Sequence, residues 1–154
     1  MIIEKAAFTD LQSILDLQYL AFLKEAKAFN DLSIEPLKQT IEEVISEYQS
    51  VVFLKAADET GRITGSVRAV QKEGTVFVMK LIVHPAMQGQ GIGTRLLLAI
   101  EKECPSVRYE LNSSVRCPLN IKLYERLGYV KFKETRTSED NGFVYLEKFA
   151  GVKR

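Results

Sequence analysis

The spacing of apolar residues changes character along the chain. Ile2–Ala7 has the β-branched, partly apolar makeup of a short first strand. Thr9-Asp10-Leu11-Gln12 has the form of a capping box, in which the Thr9 hydroxyl and the Gln12 amide meet free backbone N–H groups. Leu11, Ile14, Leu15 and Phe22 then recur at helical spacing and predict a helix from Asp10 to Ala26. Lys27–Glu35 reads as a loop. Pro36 suits the first turn of a second helix, whose one face carries Leu37, Ile41, Val44 and Ile45.

Beyond residue 50 the pattern becomes that of strands. Val51–Ala57, Ile63–Val70 and Thr75–Val83 are rich in β-branched and aromatic residues. Asp58-Glu59-Thr60-Gly61 and Lys72-Glu73-Gly74 separate them as turns, which predicts an antiparallel meander. A third helix is expected over Thr94–Glu103, with Ile92, Leu96, Leu97 and Ile100 on one side, ended by Cys104-Pro105. Arg108–Asn112 reads as a strand. Leu119–Leu127 reads as a short helix stopped by Gly128 in a left-handed cap. Tyr129–Thr137 and Phe143–Phe149 form a closing hairpin around Asp140-Asn141-Gly142.

The resulting order is β-α-α-β-β-β-α-β-α-β-β, an α/β (α+β mixed) arrangement around a mixed sheet. Thr75–Val83, the helix after it and Arg108–Asn112 form a β-α-β unit, whose two strands should be parallel. No repeat or linker divides the 154 residues, so one domain spanning 1–154 is expected.

Composition narrows the function. Hydrophobic residues are 46% and charged residues 27%, the balance of a folded globular chain. With 21 Lys+Arg against 20 Asp+Glu there is no basic excess for nucleic acid. A single His argues against a histidine-built metal site, so no metal is expected. Cys104 and Cys117 form no C-x-x-C pair and fit a reducing, cytoplasmic location. Charges at Glu4, Lys5, Asp10 and Asp16 interrupt any apolar leader, and no run is long enough for a membrane span.

Candidate chemistry concentrates in Leu81-Ile82-Val83-His84-Pro85-Ala86-Met87-Gln88-Gly89-Gln90-Gly91-Ile92-Gly93-Thr94. A strand ends, the chain turns, and glycines open a helix whose first N–H groups lack internal partners and carry the positive end of the dipole. Without Cβ atoms at Gly89, Gly91 and Gly93, a phosphate can approach those groups. No Lys follows Gly93, as a Walker loop requires, and the spacing does not complete a dinucleotide fingerprint. Taken alone, the glycines are equally compatible with a tight turn.

The segment resembles the acetyl-CoA signature Q/R-x-x-G-x-G/A of the GNAT superfamily of N-acetyltransferases, filled here by Gln88, Gly91 and Gly93. Asn120-Ile121-Lys122-Leu123-Tyr124-Glu125-Arg126-Leu127-Gly128-Tyr129 resembles the family's N-x-x-x-x-Y-x-x-x-G-[FY] element. The resemblance implies a GNAT-like fold, with a mixed, mostly antiparallel sheet of about seven strands and about four helices. It implies acetyl-CoA as cosubstrate, its pyrophosphate held by Gln88, Gly89, Gln90, Gly91, Ile92, Gly93 and Thr94. Leu81, Ile82 and Val83 would pair with the pantetheine arm. Asn120 would touch the cofactor, and Tyr124 would protonate the departing thiolate. The acetyl group would pass directly to an amine, belonging to a small molecule or a peptide N-terminus; a homodimer is open. A non-catalytic acyl-CoA-binding module is the alternative.

The chemistry is self-consistent. A Lys-like amine with a pKa near 10.4 must lose a proton to attack. Charge developing on the thioester oxygen needs placed donors, for which the N–H of Ile82 or Val83 is a candidate. A thiolate of pKa about 8.5 can take a proton from a neutral tyrosine. Periodicity alone would read Tyr124, with Ile121 and Leu127, as core packing. Asn120 can also be a helix cap. His84 is read as a turn residue. No second His is present to activate Cys117 as a nucleophile. Glu25 and Glu110 are the candidate bases, each more readily read as a solvated or paired carboxylate. In one GNAT branch a Glu precedes the second-motif Asn, whereas Ser113–Pro118 holds no carboxylate here, a departure from the ribosomal-protein N-terminal acetylases. The acceptor pocket is expected between the first two helices and Thr75–Val83, lined by Phe22, Phe29, Asn30 and Asp31.

Overall fold

Twelve elements follow one another in the computed structural model, which describes residues 1–150. They are β1 (Ile2–Lys5), α1 (Leu11–Ala28), α2 (Glu35–Lys38), α3 (Ile41–Tyr48), β2 (Val52–Ala57), β3 (Ile63–Lys72), β4 (Thr75–Val83), α4 (Ile92–Glu103), β5 (Arg108–Ser114), α5 (Pro118–Arg126), β6 (Val130–Arg136) and β7 (Gly142–Phe149). The strands form one seven-stranded sheet in the order β1-β2-β3-β4-β5-β7-β6. Every neighbouring pair is antiparallel except β4 and β5, which are parallel with α4 as the connection.

Adjacent residues of a strand point to opposite faces, and Phe53 and Leu54 of β2 divide the core accordingly. Phe53 packs with Leu11, Ile14 and Leu15 of α1 and Val44 of α3. Leu54 belongs to the larger cluster, with Ile92, Leu96, Leu97 and Ile100 of α4 and Tyr124 of α5. The sheet thus lies between α1 and α3 on one face and α4 and α5 on the other. The α4 stripe expected from the sequence is buried throughout, at 5% exposure or less. Gly65 permits this approach: a Cβ there would come within 2.8 Å of Leu96 Cδ1 and 3.0 Å of Ile92 Cγ2.

Three local expectations are corrected. The Thr9–Gln12 box does not form; instead the Asp10 carboxylate accepts from the Ala7 N–H at 2.7 Å, and α1 begins at Leu11 after a 3-10 turn. The expected second helix is two helices. Gln39 is extended, and Thr40 starts α3 with a reciprocal box: its Oγ1 accepts from the Glu43 N–H at 3.2 Å while Glu43 accepts from the Thr40 N–H at 3.0 Å. Five α-helices therefore stand where about four were expected. Asn120 is not a cap, because Cys117 precedes the first turn of α5. Gly128 has the left-handed conformation read from the sequence, φ +97°.

Candidate active site

Backbone geometry sets the site. β4 pairs with β5 only through Thr75–Phe77 and Arg108–Glu110, yet β4 runs on to Val83 and β5 to Ser114. The two strands part beyond Phe77, and the edge of β4 around Leu81, Ile82 and Val83 has no β5 partner. Lys80 sharpens the divergence. Arg68 pairs with Met79 and Ser66 with Ile82, so Val67 faces two residues, a bulge in which Lys80 takes φ +49°.

β4 leads through a 3-10 turn (Pro85–Met87) to the N-terminus of α4. His84 holds this turn: its Nδ1 accepts the Ala86 N–H at 3.0 Å, and its Nε2 lies 3.0 Å from Arg62 Nη2. The turn role read for it agrees with these bonds. Gly89 and Gly91 have φ +80° and +81°, and a Cβ at either would meet nothing within 4 Å. In α4 the first internal bond runs from Arg95 N–H to Gly91 C=O at 3.0 Å, and no side chain caps the helix. The amides of Ile92, Gly93 and Thr94 thus face an open hollow beside Gln88, Gly89, Gln90 and Gly91. A phosphate-bearing ligand fits this donor set, with unspent N–H groups, the positive end of a helix, and space that a side chain at Gly89 or Gly91 would fill.

Tyr124 of α5 lies in the same core cluster as Ile92, the first residue of α4. It is 7% exposed and packs edge-to-face on Tyr129 with centroids 6.3 Å apart. The Tyr129 hydroxyl donates to Glu101 Oε2 at 2.7 Å. Tyr124 differs, since its hydroxyl has no partner among the described residues. No buried side-chain oxygen or nitrogen there lacks one, so this hydroxyl opens on accessible space. Burial first, then the nearby Cys117 and Glu25, push its pKa well above that of a free phenol. It is a neutral donor at physiological pH. Asn120, one turn earlier on α5, is exposed.

Cys117 Sγ donates to Glu25 Oε1 at 2.6 Å. Burial, reinforced by that bond and by the carboxylate charge, pushes the thiol up to about 12, so it remains protonated and is no nucleophile. Glu110 lies where β4 and β5 still pair, 2.9 Å from Arg108 Nη2, as a structural ion pair.

A cavity of about 470 Å³ is lined by Ala28, Phe29 and Asn30 after α1, Val115 and Arg116 before α5, and Arg136, Glu139 and Asp140 of the β6–β7 hairpin. Of the four residues named for the acceptor pocket, Phe29 and Asn30 line this cavity. Phe22 and Asp31 do not line it, and β4 is not a wall. The continuation of α1 to Ala28 leaves Phe22 more than a turn behind, and the Asp31 carboxylate accepts from Ser33 N–H and Oγ at 3.0 and 2.6 Å.

Sequence reasoning missed a buried polar network beside this site. Arg68 of β3, 1% exposed, donates to Gln39 Oε1 at 3.1 Å and reaches Glu47 at 3.5 Å. Lys80, at the bulge, donates to Gln39 Oε1 and Glu35 Oε1 at 3.2 Å each. A charged residue between Val67 and Ala69 in the strand-like run Ile63–Val70 was the available signal. Among the described residues no three His, Cys, Asp or Glu side chains converge on a metal position, and no helix is long and apolar enough to cross a membrane.

A family model described as an acetyltransferase (GNAT) domain matches residues 18–147. The chain belongs to this family, a class of acetyl-transferring enzymes. Solved structures of similar fold include an aminoglycoside 6'-N-acetyltransferase complexed with coenzyme A, at 17% identity and TM-score 0.77, covering 100% of this chain and 99% of the other. Another is the PaiA N-acetyltransferase of Thermoplasma acidophilum in complex with coenzyme A, at 18% and 0.75, covering 97% and 99%. A third is a ribosomal-protein-alanine N-acetyltransferase of Escherichia coli, at 15% and 0.80, covering 99% and 96%. By sequence, no curated protein matches.

Proposed function

We propose that this chain, as a single domain, is an N-acetyltransferase that moves the acetyl group of acetyl-CoA directly to a primary amine. One observation carries the reading: the edge of β4 that faces β5 is unpaired beyond Phe77, and the chain leads from it through a short turn to the uncapped amides of α4. A ligand with an extended amide-containing arm and a pyrophosphate matches both parts. Leu81, Ile82 and Val83 supply backbone groups for the arm. The amides from Gln88 to Thr94 hold the phosphates. Asn120 contacts the ligand from α5.

Acetyl-CoA supplies the activated acyl group. The residues of this chain orient it and move protons. The N–H of Ile82 or Val83 donates to the thioester oxygen as negative charge grows there. Tyr124 gives its phenolic proton to the sulfur as the C–S bond breaks. The acceptor amine enters through the cavity at Phe29, Asn30 and Arg116, whose volume lies within the range of small-molecule sites, about 300–1,000 Å³. A small amine or a peptide N-terminus fits that space. Two unpaired half-buried cysteines suit a reducing, cytoplasmic setting.

The test is CoA thiol release from acetyl-CoA with lysine, spermidine, kanamycin and a short peptide carrying a free N-terminus. Turnover with at least one amine is expected. Tight acetyl-CoA binding with no thiol release from any of them would make the protein a binding module instead.

A further inference from the structure

We infer that Glu25 is the group that receives the acceptor's ammonium and takes its proton, and that Cys117 positions it. The inference rests on the acetyl-transfer reading and adds the residue that reading lacks.

Glu25 lies in the last turns of α1, one turn before Ala28 and Phe29, which line the acceptor cavity. Cys117 follows Arg116, which lines the same cavity from the other side. The 2.6 Å bond from Sγ to Oε1 ties these two walls together across 92 residues of sequence. It occupies Oε1 and leaves Oε2 without a partner among the described residues. Tyr124, seven residues after Cys117, stands two turns along the same face of α5. A carboxylate and a phenol thus share one cluster beside the cavity, next to its lining residues Ala28 and Arg116. The other candidate base, Glu110, is held by Arg108.

The titratable groups facing Glu25 are Cys117 and Tyr124, both protonated. Arg116, beside Cys117, donates to the carbonyls of Asp140 and Phe29 at 2.8 and 3.3 Å. Among the described residues Glu25 forms no ion pair, and its one side-chain partner is the Cys117 thiol. As the acceptor seats and water leaves, desolvation disfavours both ammonium and carboxylate and drives the proton from nitrogen to oxygen. The neutral nitrogen then attacks the thioester carbon; the C–N bond forms and the C–S bond breaks. Of the two protons the nitrogen loses, one passes through Glu25 to water. The other balances the proton that Tyr124 gives to sulfur.

The experiment uses the full chain and the best acceptor of the four-amine panel. Glu25→Gln should lower kcat/KM at pH 7 by ~10²–10⁴-fold. The loss should shrink about tenfold per pH unit as pH rises toward the acceptor amine's own pKa, near 10.4 for a lysine-like amine and about 8 for a peptide N-terminus, because free amine then needs no base. Wild-type enzyme should lack that slope. Cys117→Ala should lower kcat several-fold with acetyl-CoA KM unchanged, and Cys117→Ser, which restores a donor, should recover most of it. If Glu25→Gln does not fold, Glu25→Asp should lose most of kcat while keeping the wild-type pH profile. A folded Glu25→Gln enzyme with wild-type kcat/KM, or with a pH-independent loss, overturns the role of Glu25 and leaves the acetyl-transfer reading intact. Absence of wild-type turnover with every amine overturns the acetyl-transfer reading itself.

Discussion

The Arg68 guanidinium donates to Gln18 Oε1 across 2.7 Å, with both side chains buried, at 1% and 0% exposure. Arg68 also stacks over the Phe53 ring, 4.5 Å from its centroid. Gln18 in turn donates to Gln39 Oε1 at 3.0 Å and to the Pro36 carbonyl at 2.9 Å. One cation on β3 thereby fixes α1 and the break between α2 and α3. Arg68→Met fills the same space but leaves Gln18, Gln39 and Glu47 short of partners. A loss of roughly 2–5 kcal/mol is expected, read from urea unfolding. A stability unchanged within ~0.5 kcal/mol would show that the network does not hold these helices.

The glycine hollow predicts a binding defect separable from folding. Gly91→Glu places a negative side chain in the open space before α4. Acetyl-CoA affinity should fall by about 10²-fold or more, equivalent to roughly 2.7 kcal/mol. Any non-glycine residue at φ +81° also costs stability, on the order of 1–2 kcal/mol. Gly91→Ala carries that strain without the charge and should bind markedly better than Gly91→Glu. Calorimetry on both variants separates the two effects, and equal affinities would remove the phosphate assignment.

Tyr124→Phe keeps the ring against Tyr129 and removes only the hydroxyl, which has no protein partner among the described residues. Stability and acetyl-CoA affinity should stay close to wild type. Turnover should fall by ~10²–10⁴-fold, toward the lower figure if water replaces the phenol. Thermal melts and steady-state kinetics on one preparation give both answers. Full turnover with Phe at this position would leave the phenol no part in proton transfer.

Acid stability should depend in part on Asp10. Burial works to raise its pKa, but the Lys55 ammonium at 2.7 Å and the Ala7 N–H outweigh it and hold the carboxyl below its ordinary value. A depressed pKa means stabilisation that is present above the unfolded value of about 3.9 and lost as pH falls through the folded one. Lys55 is raised by the same contact, so its share persists below about 10.4 and disappears as pH rises through its folded value. Asp10→Asn should remove on the order of 1 kcal/mol at pH 7 and little at pH 2, measured by urea melts at each pH. An equal loss at both values would contradict the pairing.

Strand and helix identities were readable where period and turn chemistry agreed. The bounds of β4 match the sequence reading at both ends, because a turn before it and Pro85 after it leave no choice. The glycine loop was legible for the same reason: its residues are local in sequence. The Thr40–Glu43 capping box was also written there, as T-x-x-E, but the continuous apolar face across Pro36–Ile45 masked it. Cys117 with Glu25, and Arg68 with Gln18, could not be read, since each pair meets only after the sheet and α1 have packed. The cavity beside Phe29 could not be read on the same grounds, its walls coming from three distant segments.

In mechanical terms the sheet is two stiff plates, β1–β4 and β5–β7–β6, joined along a weld only as long as Thr75–Phe77. Torsional stiffness across such a joint is lowest at its open end, where β4 runs on to Val83 and β5 to Ser114 with no bond between them. A molecule seated there and bonded to both plates acts as a brace. A ligand of that kind would couple the two plates, and the angle between them is the coordinate it would restrain.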